Sequence, residues 1–376
     1  MKTIVVSAVN CVEGGTLRVF LAAVRAAADE FQGWRIVVLA NRAELIDDPR
    51  VEVLAFPAAK RRYLSRLYHE WVVFRRLASE LRPDIWLSMH DMTAIVPGRR
   101  HFVYCHNPMP FYQLPLREAV QQPLSIVQNR LYGLFYRAFL KRNEAVIVQQ
   151  DWLRREFLKW GAPQVIVAHP VDHTEVPPLA RPAHSTRFFY PSLSRAFKNF
   201  EVIGEALRLL AREPRWRGEV AITISGDEDR YARWLRSSYG DVPGLRFIGR
   251  QSYAQMAARY EEADCLIFPS RLETWGLPIT EAKARGIPLI VADLPYGHET
   301  VGASDYVRFF EPNDARRLAD IMLDVHLNGW RADPVRPPDP ATPFARDWGE
   351  LMRLVRDGTA GARASTTSMR VSETQE

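Results

Sequence analysis

Two successive α/β units, each a parallel sheet covered on both faces by helices, are predicted by three features of the 376-residue chain. Apolar strand-like runs alternate with helical periodicity through residues 1–180. A proline-rich stretch without periodicity, PVDHTEVPPLARPAHST at 170–186, then interrupts the pattern. The same alternation restarts after it, as expected for two doubly wound domains joined by a linker.

The elements follow in order. IVVSAV (4–9) reads as a buried strand and EGGTLRVFLAAVRAAADEF as its helix. WRIVVLA (34–40) and VEVLAF (51–56) are strands, followed by one long helix over about 60–82. DIWLSMH (84–90) and HFVYCH (101–106) are strands, then come a helix over about 117–142, the strand EAVIVQ (144–149) and a helix near 151–160. In the second unit FFYPS (188–192), EVAITIS (219–225), LRFIG (245–249), CLIFPS (265–270) and PLIVAD (288–293) are strands. Helices are predicted near 199–212, 228–239, 252–262 and 277–285. FARDWGELMRLVRD (344–357) reads as a last amphipathic helix, and the Ser/Thr/Gly-rich tail from Ala360 as disordered. The expected domains are therefore 1–178 and 186–335, with a helix at 340–358 and a tail at 360–376.

Composition narrows the class. With 47% apolar and 25% charged residues, the chain is a globular protein, not a disordered or fibrous one. No apolar run reaches the roughly 18–20 residues of a membrane span. The opening run is too short for a signal-peptide core and reads as the first strand. Cys11, Cys105 and Cys265 lie in apolar strand-like runs without CxxC spacing, which fits a reducing cytoplasm and argues against a disulfide framework or a zinc site. The net charge of +6 is one-sided: residues 1–180 hold 23 Lys+Arg against 17 Asp+Glu, and the remainder 27 of each. A one-sided basic surface attracts polyanions. Residues 60–82 carry seven cations with Tyr63, Tyr68, Trp71 and Phe74 interleaved; 117–142 carry five with Tyr132, Phe135, Tyr136 and Phe139. These two stretches are expected either to anchor on an anionic bilayer or to pack their aromatics inward. No nucleic-acid-binding motif accompanies the charge.

The chemistry concentrates in PSRLETWGLPITEAKARGIP (269–288). A strand ends, a loop carries Glu273, Gly276 permits close backbone approach, and a helix starts near Leu277-Pro278. Pro is tolerated in a first helical turn because its missing N–H has no partner there. Glu281 is expected on that first turn. A helix N-terminus suits phosphate, while carboxylates beside it bind the hydroxyls of a sugar or ribose.

This string resembles the signature of the large retaining glycosyltransferase family 4, whose E-x7-E motif is here Glu273-Thr-Trp-Gly-Leu-Pro-Ile-Thr-Glu281. The resemblance covers most of the chain. It implies a GT-B fold, two Rossmann-like domains facing each other across a cleft, with the donor in the second and the acceptor in the first. The last helix would return to the first domain. FFYPSLSRAFKNFEVIGEAL (188–207) resembles the family's strand–loop–helix in which Arg195 and Lys198 grip the donor diphosphate. Fixed cations of this kind stabilise a departing diphosphate without a metal. Glu281 would hold the ribose and Glu273 the sugar hydroxyls, with Thr274, Trp275, Gly276 and Leu277 touching sugar and phosphate. Gly226 and Asp227 would border the nucleotide. In the first domain, Gly14 and Gly15 resemble the family's glycine-rich loop, and His106 the strand-end His facing the transferred sugar. His90-Asp91 is a competing candidate for that place. Asp227-Glu228-Asp229 spells a DxD, but at a helix start it reads as a solvated cap; no metal and no cofactor are expected.

The expected function is a cytoplasmic, metal-independent, retaining glycosyltransferase, peripheral to the inner face of the cell membrane. It would move a sugar from GDP-mannose or a UDP-hexose to a lipid-linked glycan in surface-polysaccharide assembly. The alternatives are transfer to a small soluble acceptor, or a non-catalytic GT-B scaffold.

Overall fold

The computed structural model of the protein describes residues 1–60, 63–112, 131–171 and 184–358. They form two compact units. One is Met1–Phe111 with the described parts of Gln128–His173 and Asp339–Glu376; the other is Tyr112 with the described part of Thr174–Pro338.

The first unit is an eight-stranded parallel sheet. Its strands are β1 (Thr3–Ser7), β2 (Arg35–Ala40), β3 (Glu52–Ala55), β4 (Ile85–Ser88), β5 (Arg100–Cys105), β6 (Ala145–Val148), β7 (Val165–Ala168) and, late in the chain, β14 (Phe344–Ala345). Their order is β14-β7-β6-β5-β4-β1-β2-β3. Strands β1, β4, β6 and β7 are buried along their whole length, as a sheet covered on both faces requires. Helix α1 (Gly14–Glu30) lays Phe20, Ala23, Val24 and Ala27 on one face of it.

The predicted helix over 60–82 is broken. It runs as α2 (Tyr63–Tyr68), a π turn (His69–Val73) and α3 (Phe74–Leu81). The Phe74 N–H donates to His69 C=O, five residues back. The extra residue rotates the helix face and carries Glu70 fully into the interior. Phe139 and Leu140–Arg142 end the only described part of the predicted 117–142 helix, which is helical at residues 131–137; the rest of that prediction lies outside the described residues. The predicted tail from Ala360 lies outside them too. Helix α4 (Asp151–Lys159) precedes β7.

The predicted last helix starts four residues late. Phe344 and Ala345 pair with Val167 and Ala168 as β14. The Arg154 guanidinium holds the approach, donating to Pro343 C=O at 2.9 Å and to Ala341 C=O at 2.5 Å. The helix then begins at Trp348, where the Asp347 carboxylate accepts the Glu350 N–H at 2.8 Å. It packs on α1: Arg353 meets Glu30 at 2.5 Å, and Trp348 stacks on Tyr104 with ring centroids 5.4 Å apart. Of the three cysteines, Cys105 and Cys265 lie in strands. Cys11 instead sits in the loop after β1, its thiol pushed up to about 12 by burial.

The second unit has β8 (Arg187–Tyr190), β9 (Glu219–Ile222), β10 (Leu245–Phe247), β11 (Cys265–Phe268), β12 (Leu289–Ala292) and β13 (Val307–Phe310), all parallel, in the order β10-β9-β8-β11-β12-β13. Helices α5 (Phe200–Leu210), α6 (Arg230–Tyr239), α7 (Tyr253–Glu262), α8 (Leu277–Ala284), α9 (Pro295–Val301) and α10 (Ala315–Leu327) connect or follow them.

Strand order reverses between β1 and β4 in the first sheet and between β8 and β11 in the second. Loops leaving neighbouring strands at such a reversal part in opposite directions and open a crevice at the strand ends. Gly14 and Gly15 follow β1, His90 and Asp91 follow β4, Arg195 and Lys198 follow β8, and Glu273–Gly276 follow β11, while His106 follows the adjacent β5 and Gly226 and Asp227 the adjacent β9.

Helix α11 (Trp348–Asp357) contributes Trp348, Leu351, Met352 and Val355 to the first unit's core. Trp348→Ala is expected to cost that unit about 3–5 kcal/mol. A lowered urea midpoint for the first unit's unfolding, with the second unit's midpoint unchanged, is the result to look for.

Candidate active site

In the second unit, the loops after β8 and β11 are joined by an ion pair. Lys198 Nζ lies 2.5 Å from Glu273 Oε1, and both side chains are largely buried, at 17% and 12% exposure. The ammonium also stands over the rings of Phe197 and Phe268, at 5.5 and 5.9 Å. The loop backbones are tied independently. Asn199, in left-handed conformation at φ 59°, is fully buried and donates its amide to Pro269 C=O at 3.0 Å and Pro312 C=O at 2.7 Å. Tyr190 donates to Lys198 C=O at 2.8 Å and Tyr296 to Ser270 C=O at 2.6 Å. Burial, and next the Glu273 carboxylate, push both phenols up, so they remain neutral donors. Arg271 adds its N–H to Phe197 C=O at 2.7 Å and its guanidinium to Glu201 at 2.9 Å.

Gly276 explains the turn into α8. Its φ is +89°, and a Cβ there would come within 3.2 Å of Phe268. Thr274 and Trp275 lead into it; the Trp275 indole donates to Thr280 Oγ1 at 2.9 Å, and Thr300 donates to Trp275 C=O. Leu277 opens α8, with Pro278 behind it. Glu281 is the fifth residue of α8, on its second turn, not the first as the sequence suggested. The helix starts at Leu277 as expected, and at 3.6 residues per turn its fifth residue already lies past the first turn. The Tyr260 hydroxyl donates to Glu281 Oε2 at 2.6 Å.

Arg195 does not join the Lys198–Glu273 pair. Its half-exposed guanidinium donates to Ser194 C=O at 2.7 Å and lies 3.8 Å from Asp229. The acidic triple is spoken for within its own loop. Glu228 accepts the N–H groups of Ser225 and Gly226 at 2.5 and 2.9 Å, Asp227 accepts the Ser225 hydroxyl, and Asp229 caps α6 through the Ala232 N–H at 2.8 Å. Among the described residues no group of three His, Cys, Asp or Glu is arranged to hold a metal ion.

In the first unit the candidates also cluster at a strand reversal, but the pairs cross. Asp91, at φ +70°, accepts the backbone N–H groups of His106 and Asn107 at 2.7 and 3.1 Å, and its second oxygen lies 3.9 Å from His106 Nε2. His90, by contrast, is fully buried against Glu70 through Nε2 and Oε1. Arg66 bridges the layers. It donates to His90 C=O at 2.5 Å and, with the Asn10 amide in the orientation that satisfies both groups, to Asn10 Oδ1 at 2.7 Å. His90 and Asp91 therefore serve different partners. Burial lowers the His106 pKa, against the pull of Asp91, so its imidazole is neutral at pH 7. Gly14 starts α1 at φ +63°; a Cβ there would touch no described residue, and Gly15 follows in the first turn. No side chain caps this helix start.

Asn199, Tyr260, Glu70 and Arg66 were not among the residues singled out from sequence. Asn199 carried a signal, an Asn just before a predicted helix. Glu70 had none, because the π turn that buries it does not show in periodicity.

The comparisons with known proteins fall on the same two units. Residues 13–175 match the profile described as Glycosyltransferase Family 4, and residues 180–333 that described as Glycosyl transferases group 1. The chain belongs to glycosyltransferase family 4, with the GT-B fold. Among this glycosyltransferase's relatives is the O-antigen chain mannosyltransferase B of Escherichia coli, 29% identical over 137 residues, covering 36% of this chain and 35% of that protein. It thus matches about a third of that relative's length. The O-antigen chain mannosyltransferase RfbU of Salmonella typhimurium is 19% identical over 268 residues, 69% of each chain. In fold, the glycosyltransferase is similar over the whole of both chains to sucrose-phosphate synthase from Thermosynechococcus elongatus, with TM-score 0.66 at 16% identity.

Two outcomes test the first-unit cluster. Glu70→Ala leaves the buried His90 without its partner and is expected to cost about 1–3 kcal/mol, more if charge is left unpaired. In a denaturation cycle, Glu70→Leu with His90→Leu should destabilise less than the two single variants summed. The second concerns pH. A histidine held below its ordinary value binds fewer protons when folded than unfolded, so its contribution to stability is lost as pH falls below about 6.5. The His106 ring proton should titrate below that value by NMR, and His106→Gln should shrink the stability lost between pH 7.5 and 5.5.

Proposed function

We propose that this glycosyltransferase moves a hexosyl group, with retention of anomeric configuration, from a nucleoside-diphosphate donor to a lipid-linked glycan in surface-polysaccharide assembly. GDP-mannose or a UDP-hexose is the donor. The observation that carries the reading is the buried Lys198–Glu273 pair at the β8/β11 reversal. A lysine held there by fixed loops is a cation preorganised for the charge that grows on a departing diphosphate. Glu273 beside it is an acceptor for sugar hydroxyls, and Glu281 for the ribose. Arg195, on the same loop, is a second, more exposed cation for the diphosphate, and the Trp275–Leu277 backbone meets sugar and phosphate. Gly226 and Asp227 border the nucleotide at the end of β9. His106 and the Gly14-Gly15 helix start belong to the first unit's side of the reaction. With the acidic triple engaged in its loop and helix cap, the reaction is assigned to these cations without a metal.

The O-antigen names of the two relatives favour the surface-polysaccharide setting and a mannosyl donor. A lipid-linked acceptor is supported by the first unit's surface. Phe74 and Tyr136 turn into the core, yet Tyr68, Val72, Leu131, Leu134 and Phe139 are exposed, Leu134 at 65%. Trp71 joins the two segments by contacts with Phe135 and Phe139. Exposed cations Arg75, Arg76, Arg137, Lys141 and Arg142 flank this apolar set. Apolar side chains rimmed by cations suit an anionic bilayer. No described helix is long and apolar enough to cross a membrane.

The test of the donor site is a thermal-shift screen against UDP, GDP, ADP and dTDP and their sugars with EDTA present. One nucleotide should raise the melting temperature by mass action, and Lys198→Ala should abolish the shift. With that donor, Lys198→Ala should lower turnover by about 10²–10³-fold. No shift from any nucleotide contradicts the reading and favours a scaffold. For the acceptor, sedimentation with anionic but not neutral vesicles, weakened in Leu134→Ser/Phe139→Ser, is expected; equal behaviour on both vesicle types favours a soluble acceptor.

A further inference from the structure

Glu281 is held by a residue with no assigned role. Tyr260, on α7, is 2% exposed and donates its hydroxyl to Glu281 Oε2 at 2.6 Å. Its ring cannot swing away. Phe189 of β8 meets it edge-on with centroids 5.4 Å apart, and the Arg285 guanidinium covers it at 5.0 Å. Arg285 in turn donates to the backbone C=O of Glu281 at 2.9 Å, closing a ring of contacts around the one carboxylate. A glutamate on a half-buried helix face has three side-chain torsions; here both its main chain and one carboxylate oxygen are pinned. The Tyr260 O–H supplies one proton and spends it on Oε2, which holds that oxygen in place and restrains rotation of the carboxylate. A carboxylate so restrained accepts ribose hydroxyls at a set angle, and the gain is lost once it rotates.

We propose that Tyr260 is the positioning residue for Glu281 and that the pair makes the site discriminate ribose from 2′-deoxyribose. The inference rests on the proposed donor site, in which Glu281 holds the ribose. Tyr260 touches no substrate; it acts through the carboxylate. Its removal therefore weakens the part of binding that reads the sugar ring of the nucleotide and spares the part that reads phosphate.

The experiment is calorimetric titration of wild type, Tyr260→Phe and Glu281→Gln with three probes. They are the ribonucleoside diphosphate that wild type binds among UDP, GDP and ADP, its 2′-deoxy counterpart, and inorganic pyrophosphate. Wild type should bind the ribonucleotide about tenfold more tightly than the deoxynucleotide, the scale of one hydrogen bond to a charged group. In Tyr260→Phe and in Glu281→Gln that ratio should fall to about twofold or less, with pyrophosphate affinity unchanged within about twofold. An unchanged ratio in Tyr260→Phe beside a collapsed one in Glu281→Gln would falsify the positioning role while leaving the donor site standing. So would a loss of pyrophosphate affinity in Tyr260→Phe equal to its loss of nucleotide affinity. If wild type binds none of the nucleotides, the donor-site reading itself fails, and this inference with it. Glu281→Gln removes charge at a half-buried position without changing volume, so it keeps the measurement available should Tyr260→Phe not fold.

Discussion

Lys198 and Glu273 reach each other across the line where the second sheet reverses its strand order, and much of that unit's local structure exists to let them do so. A buried ion pair recovers its desolvation cost only when geometry is fixed and remaining polar atoms are satisfied. Four restraints provide the fixing here. Asn199 ties the β8 loop to the chain after β11 and after β13. Tyr190 and Tyr296 hold one backbone carbonyl on each side. Arg271 links the β11 loop to α5. Removing water from such a pair raises what each charge can do for a ligand, because the low local dielectric strengthens every interaction inside. Under the proposed function, a diphosphate seated here competes with Glu273 for the ammonium. In the proposed reaction, the same event that seats phosphate on Lys198 leaves the Glu273 carboxylate to accept from the donor sugar.

The first unit solves an analogous problem with a different set of groups. Strand-end His90, Asp91 and His106, with Glu70 of the π turn, form two carboxylate–histidine pairs, Glu70 with His90 and Asp91 with His106; the 90–91 backbone joins them, and Arg66 donates to its His90 carbonyl. One pair is sealed and the other is not fully so: His90 is 1% exposed at its side chain and His106 9%. Asp91 spends one oxygen on two backbone N–H groups, so it shapes the turn that presents His106. The π turn in the 60–82 helix is the structural cost of bringing Glu70 to His90.

Sequence made the sheet architecture legible because buried parallel strands leave continuous apolar runs, and each run here became a strand. It made Glu273 and Gly276 legible because they stand in one short string whose spacing is set by a strand, a loop and a helix start, and Lys198 because a second strand–loop–helix string, 75 residues earlier, carries it. What it missed depends on contacts between distant segments. Tyr260 lies 21 residues before Glu281, and Glu70 lies 20 before His90 on a different element. Spacing carries no information about such pairs. The helix expected from 344 failed for a local reason: the apolar Phe344-Ala345 fits an edge strand as well as a helix, and β7 offers it a partner. Glu281 falls on the second turn although the helix start at Leu277 was legible, because four residues precede it in the helix and one turn holds only 3.6.

A structure with the bound nucleoside diphosphate and its sugar tests the central claim most directly. The account predicts diphosphate oxygens within hydrogen-bond distance of Lys198 Nζ, the Glu273 carboxylate turned to a sugar hydroxyl, and the ribose against Glu281. A nucleotide bound elsewhere, or bound here with the Lys198–Glu273 pair intact and no phosphate on the lysine, would contradict it.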